Sequence, residues 1–135
     1  MVNIKALQHI GIIVPDVQKS AEWYIERSGF VKEGDFWADG SHAIFVRNPA
    51  SNVLFELIQR PPGSEEALEA ERSGGHIDHV AYEVADLPLE FEHAKEAGMD
   101  IIEGICDVPT FWDNGFQYFL VHSAGREKIE YCWVL

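Results

Sequence analysis

His9-Ile10-Gly11-Ile12-Ile13-Val14 and His79-Val80-Ala81-Tyr82-Glu83-Val84 are two versions of one stretch. Each is followed by an acidic residue and by a helical pattern that ends in glycine. Further on, residues 37–57 lie over residues 111–131 without a gap, which sets Asp39 on Asp113, Phe45 on Phe119 and Glu56 on Glu130. This second offset is the larger, so residues were gained within the second copy. Internal duplication of this kind implies two supersecondary units of the same design.

Each unit reads as a strand, a helix and further strands. In the opening strand Leu7, His9, Gly11 and Ile13 share one face, while Ile10, Ile12 and Val14 form the other. In the second copy His79, Ala81 and Glu83 oppose Val80, Tyr82 and Val84. Each histidine is thus followed on its own face by a residue too small to fill the space above the sheet. The first helix starts at the N-cap Asp16, carries Val17, Ala21, Tyr24 and Ile25 at helical spacing and stops at Gly29. Of the adjacent Trp23 and Tyr24, only Tyr24 fits the inward stripe. The second helix runs from Asp86, with Pro88 in its first turn, through Leu87, Phe91, Ala94 and Ala97 to Gly98. Both stripes must cover the apolar face of a sheet, which leaves the face of His9 and His79 to other partners.

The runs 43–47, 53–59, 116–122 and 128–134 are rich in β-branched and aromatic residues and read as strands. Asp39-Gly40 and Asn114-Gly115 are hairpin signals. Between the copies, Pro61-Pro62-Gly63 and Gly74-Gly75 bracket a capped linker helix over residues 64–72. The expected fold class is therefore α+β, with a first module over 1–60, a linker over 61–75 and a second module over 76–135, together one structural domain. Its 135 residues, 47% of them apolar and 24% charged, suit one globular body with a true core. A formal charge of -13 has the wrong sign for a phosphate backbone or an anionic lipid surface, so no nucleic-acid or membrane partner is expected. No apolar run approaches the ~20 residues needed to cross a bilayer, and the opening residues lack a signal-peptide pattern. The reading is a cytoplasmic protein with Cys106 and Cys132 as reduced, packed thiols outside the mechanism.

Glu56 stands between Phe55 and Leu57, and Glu130 between Ile129 and Tyr131. If the apolar neighbours lie under the helices, period-two geometry turns both carboxylates onto the face of His9 and His79. A carboxylate in such a place is costly unless it is paired, hydrogen-bonded or bound to metal. Two His and two Glu at equivalent positions of a duplicated unit make an N2O2 donor set suited to one divalent ion: Zn, Ni, Co, Mn or Fe. His9, Glu56, His79 and Glu130 are accordingly the expected metal ligands, with Glu130 and Glu56 the candidates for moving a proton. His42, His76, His93 and His122 do not share the pattern and are left outside the metal shell; His93 is expected to face solvent. Among Trp37, Phe45, Phe111, Trp112, Phe116, Phe119 and Trp133, core packing is the expected role for most.

Taken together, His9-Ile10-Gly11-Ile12-Ile13-Val14-Pro15-Asp16, Trp23-Tyr24 before Ser28-Gly29-Phe30, Phe55-Glu56-Leu57 and His79-Val80-Ala81-Tyr82-Glu83-Val84 resemble the vicinal oxygen chelate superfamily. That superfamily includes glyoxalase I, methylmalonyl-CoA epimerase, extradiol dioxygenases and the bleomycin and fosfomycin resistance proteins. The resemblance implies two tandem βαβββ modules whose curled mixed sheet encloses a metal cleft, and it commonly implies a homodimer. The glyoxalase pattern of ligands falls on His9, Glu56, His79 and Glu130. It implies a glyoxalase I-like lyase or isomerase moving a proton through an enediolate of a small carbonyl or thioester substrate. The alternatives are a methylmalonyl-CoA epimerase-like acyl-CoA epimerase, which residues 64–84 resemble, an extradiol-type dioxygenase, and a non-catalytic small-molecule binder.

Overall fold

A computed structural model describes all residues 1–135. It contains β1 (Ile4–Ile13), α1 (Val17–Ser28), β2 (Val31–Ala38), β3 (Ser41–Arg47), β4 (Leu54–Gln59), α2 (Glu65–Ser73), β5 (His76–Val84), α3 (Leu87–Glu96), β6 (Asp100–Val108), β7 (Phe116–His122) and β8 (Lys128–Val134). The chain forms two compact units, His9–Asp78 and Met1–Gln8 with His79–Leu135.

In the first unit β1 runs parallel to β4, and β4, β3 and β2 follow one another antiparallel. α1 begins where Asp16 accepts a hydrogen bond from the Lys19 amide, a cap worth ~1 kcal/mol, and stops at Gly29 in the left-handed region. Its Val17 and Ala21 pack on Val14, Ile44, Val46 and Leu57, while Tyr24 meets Phe55 edge to face and Phe30 at a tilt. Trp23 is turned outward, as the helical stripe requires. The opposite face is sealed at one end by α2, whose Ala70 packs on Ile13 and Ile58. Ser64 caps α2 by accepting from the Ala67 amide.

The second unit repeats this plan, with β5 parallel to β8 and β8, β7 and β6 antiparallel. α3 lays Leu87, Phe91 and Ala94 over Val84, Phe119, Val121 and Tyr131. Val2 enters this core. Next to it the buried Glu90 accepts from the Asn3 amide at 2.9 Å and from the Asn3 side chain at 3.1 Å, and meets His93 Nδ1 at 2.9 Å. These contacts explain why Met1–Gln8 belong to this unit. They also make His93 a half-buried partner of Glu90, where solvent was expected.

Three further expectations change. β2 and β6 lie outside the runs read as strands, because charges and glycines interrupt their apolar pattern: Lys32-Glu33-Gly34-Asp35 in one and Glu103-Gly104 in the other. Both border their sheets and carry register shifts, the bulged and charged form by which edges avoid further pairing. The turns also differ. Asp39 and Gly40, both at positive φ, make a two-residue hairpin of the primed type, whereas residues 109–115 form a longer loop. Finally, the gapless alignment fails by one residue in β7. Glu56 is paired with Phe45, but Glu130 is paired with Leu120, and Phe119 faces α3. A one-residue slip moves a side chain to the other face of a sheet.

Burial pushes the Glu90 carboxyl up, and the hydrogen bonds from Asn3 and His93 outweigh it, leaving the group below its ordinary value. Its contribution to stability is therefore complete above the usual carboxyl range and is lost as pH falls through the lowered folded-state value. Glu90→Ala is expected to cost ~1–3 kcal/mol at neutral pH in urea titration, with the wild-type and variant curves converging in acid. A gap that stays constant with pH would contradict this account.

Candidate metal centre

Glu56 stands opposite Gly11 in the β1–β4 register, and Glu130 stands opposite Ala81 in the β5–β8 register. His9 and His79 each lie two residues before that small residue, on the same face. The carboxylate leans diagonally over the glycine or alanine to reach the imidazole. His9 Nε2 and Glu56 Oε2 are 3.0 Å apart, with side chains 0% and 10% exposed. His79 Nε2 and Glu130 Oε2 are 3.5 Å apart, at 6% and 7%. A bulky residue in place of Gly11 or Ala81 would fill the path between them.

Each unit therefore brings together the two site residues that the sequence assigns to it. The ring of Phe45 meets His9 edge-on at 5.6 Å between centroids. The donor chemistry fits a borderline divalent ion. Donors bonded to one ion at ~2.0–2.2 Å on adjacent positions stand roughly 3 Å apart, close to both separations. His42, His93 and His122 are engaged elsewhere: His42 with Asp35 at 2.5 Å and stacked on the exposed Trp37, His93 with Glu90, and His122 with Asp100 at 3.1 Å. Trp37 thus departs from the core role expected of it.

The family model described as the glyoxalase/bleomycin resistance protein/dioxygenase superfamily matches residues 8–116. The chain belongs to this superfamily. The resemblance to vicinal oxygen chelate proteins is thereby borne out, as is the α+β fold of paired βαβββ modules. The solved structure of methylmalonyl-CoA epimerase from Mycobacterium tuberculosis superposes with a TM-score of 0.80 at 22% identity, covering 96% of this chain and 87% of that one. Among curated superfamily relatives, the 4-hydroxyphenylpyruvate dioxygenase of Caenorhabditis elegans is 27% identical over 90% of this chain. The match takes in only 32% of that dioxygenase, so the chain spans about a third of its length. The uncharacterized protein YwbC of Bacillus subtilis is 29% identical over 94% of this chain and 96% of its own. No helix is long and apolar enough to cross a membrane.

The sequence reading missed the surroundings of Glu130. Cys132 is fully buried and, by strand alternation, shares its face; it is paired with Tyr118 on β7, which is paired in turn with Cys106 on β6. Period two alone points from Glu130 to Cys132, but Tyr118 and Cys106 need the registers of three strands. Burial, then the neighbouring Cys106 and Glu103, hold the Tyr118 phenol well above its ordinary value. Burial and Glu103 likewise push the Cys106 thiol up.

The buried pairs should be energetically coupled. In a double-mutant cycle, His79→Phe and Glu130→Leu are each expected to destabilise, while the double variant loses less than the two together by at least ~0.5 kcal/mol. Strict additivity in chemical denaturation would show that the imidazole and carboxylate do not interact.

Proposed function

We propose that this chain is a metal-dependent enzyme of the glyoxalase I-like lyase or isomerase type, acting on a small carbonyl or thioester compound. The observation that carries the reading is the recurrence of a buried His–Glu pair at the same place in both units. His9, Glu56, His79 and Glu130 would together hold one divalent ion: Zn, Ni, Co, Mn or Fe. When bound, such an ion supplies Lewis acidity toward a carbonyl oxygen of the substrate. The imidazoles would serve as neutral nitrogen donors through Nε2, the nitrogen that faces each carboxylate.

A carboxylate is a weak base toward a carbon-bound hydrogen, since its ordinary pKa is near 4.3. Its value lies in position: held at the substrate carbon, Glu130 or Glu56 can take the proton and keep it out of water. Returning that proton to the neighbouring carbon gives isomerisation. Returning it to the opposite face of the same carbon gives epimerisation. A second reading, an acyl-CoA epimerase, is favoured by the fold likeness to methylmalonyl-CoA epimerase. We place the active form in the cytoplasm as a homodimer.

Purified protein is expected to carry about one divalent ion per chain by elemental analysis. A panel of hemithioacetals, acyl-CoA thioesters and catechols, followed by proton exchange in heavy water, then identifies the substrate class. Glu130→Gln should keep much of the metal and lose turnover. Unchanged proton exchange in both Glu130→Gln and Glu56→Gln would sink the scheme. Protein that stays metal-free after metal-replete expression would instead be a small-molecule binder, and bound Fe(II) with oxygen uptake would point to catechol cleavage.

A further inference from the structure

The two units are alike at the His–Glu pairs and unlike one pleat further along the sheet. In the first unit the next cross-strand row is Ile13, Ile58, Ala43 and Phe36, directly paired from β1 to β2. It is apolar throughout, and α2 closes it through Ala70. In the second unit the equivalent row is Glu83, Cys132, Tyr118 and Cys106, paired from β5 to β6. Every member there carries a polar or ionisable group. Alternation along β8 and β7 puts this row on the face that bears Glu130, roughly 7 Å away along the strand.

Duplication alone gives no reason for one copy to replace an apolar row by a polar one, because polar groups in a half-buried sheet face cost free energy that aliphatic side chains do not. Tyr118 is the member best placed to act. It is half-buried, and its hydroxyl donates to Glu103 Oε2 at 3.4 Å, longer than a good O–H···O contact of ~2.7 Å. Because that contact is weak, the phenol's single hydrogen can leave Glu103 for a better-placed acceptor. Glu83 is engaged with Lys5 at 2.8 Å and Cys132 donates to the Tyr82 carbonyl, so neither is equally available.

We propose that Tyr118 is a substrate-binding residue of the Glu130 half-site, donating its phenol hydrogen to a substrate oxygen that lies beside the carbon Glu130 serves. The inference rests on the metal-dependent reading above and adds that the substrate carries a hydrogen-bond-accepting oxygen toward β7. The first unit, with Ala43 and Phe36 at the matching positions, carries no donor there.

The test uses the full chain loaded with cobalt and acetohydroxamate as a probe with two neighbouring oxygens. Calorimetric titration is expected to show binding to the wild type and about tenfold weaker binding to Tyr118→Phe, the loss of one hydrogen bond. Cobalt content, the resting visible spectrum and the melting temperature should be unchanged in that variant, and Cys106→Ser should bind the probe like the wild type. Equal affinity of wild type and Tyr118→Phe, or cobalt-loaded wild type that ignores the probe, overturns the role of Tyr118. Wild type that takes up no cobalt overturns the metal reading, and the Tyr118 inference falls with it.

Discussion

A carboxylate buried in the face of a β-sheet must meet a partner, and here the partner is an imidazole reached beside a glycine in one unit and an alanine in the other. Gly11 and Ala81 stand directly opposite the two glutamates, one with no side chain and the other with a single methyl, so neither competes with the carboxylate for the space beside its strand. The constraint acts on everything around it. The glutamates can turn inward only because their neighbours Phe55, Leu57, Ile129 and Tyr131 are held under α1 and α3. The helices can hold them only because their caps and stripes are in phase with the strands.

Superfamily membership gives this arrangement a context without fixing its chemistry. The epimerase of similar fold and the dioxygenase of similar sequence carry different reactions in their names. Function on a shared fold is decided by the side chains of the site. The difference between the two units is therefore the informative feature: one pleat beyond the His–Glu pair, the first carries hydrocarbon under α2 and the second two thiols, a phenol and a carboxylate.

Much of this was legible along the chain. The repeat marked both histidines and both glutamates, and alternation assigned them to one face of each unit. Asp16, Gly29, Ser64 and Asp86 bounded the helices because capping is a local affair of a few residues. The edge strands β2 and β6 were not legible, since strands bordering a sheet are selected against a clean apolar alternation. Nor was the partner of His93, because Asn3 and Glu90 lie far apart in sequence and meet only when α3 docks.

Local order and periodicity, then, determined which residues form each strand and helix and which face each one shows. Register between strands is set by packing at a distance, and the sequence carries no local trace of it. Alignment placed Phe119 where Phe45 stands, yet the folded sheet moved Phe119 under α3 and brought Leu120 opposite Glu130. The same registers drew Glu83, Cys132, Tyr118 and Cys106 into one row, because a pairing choice between strands fixes at once which side chains from four separate segments become neighbours.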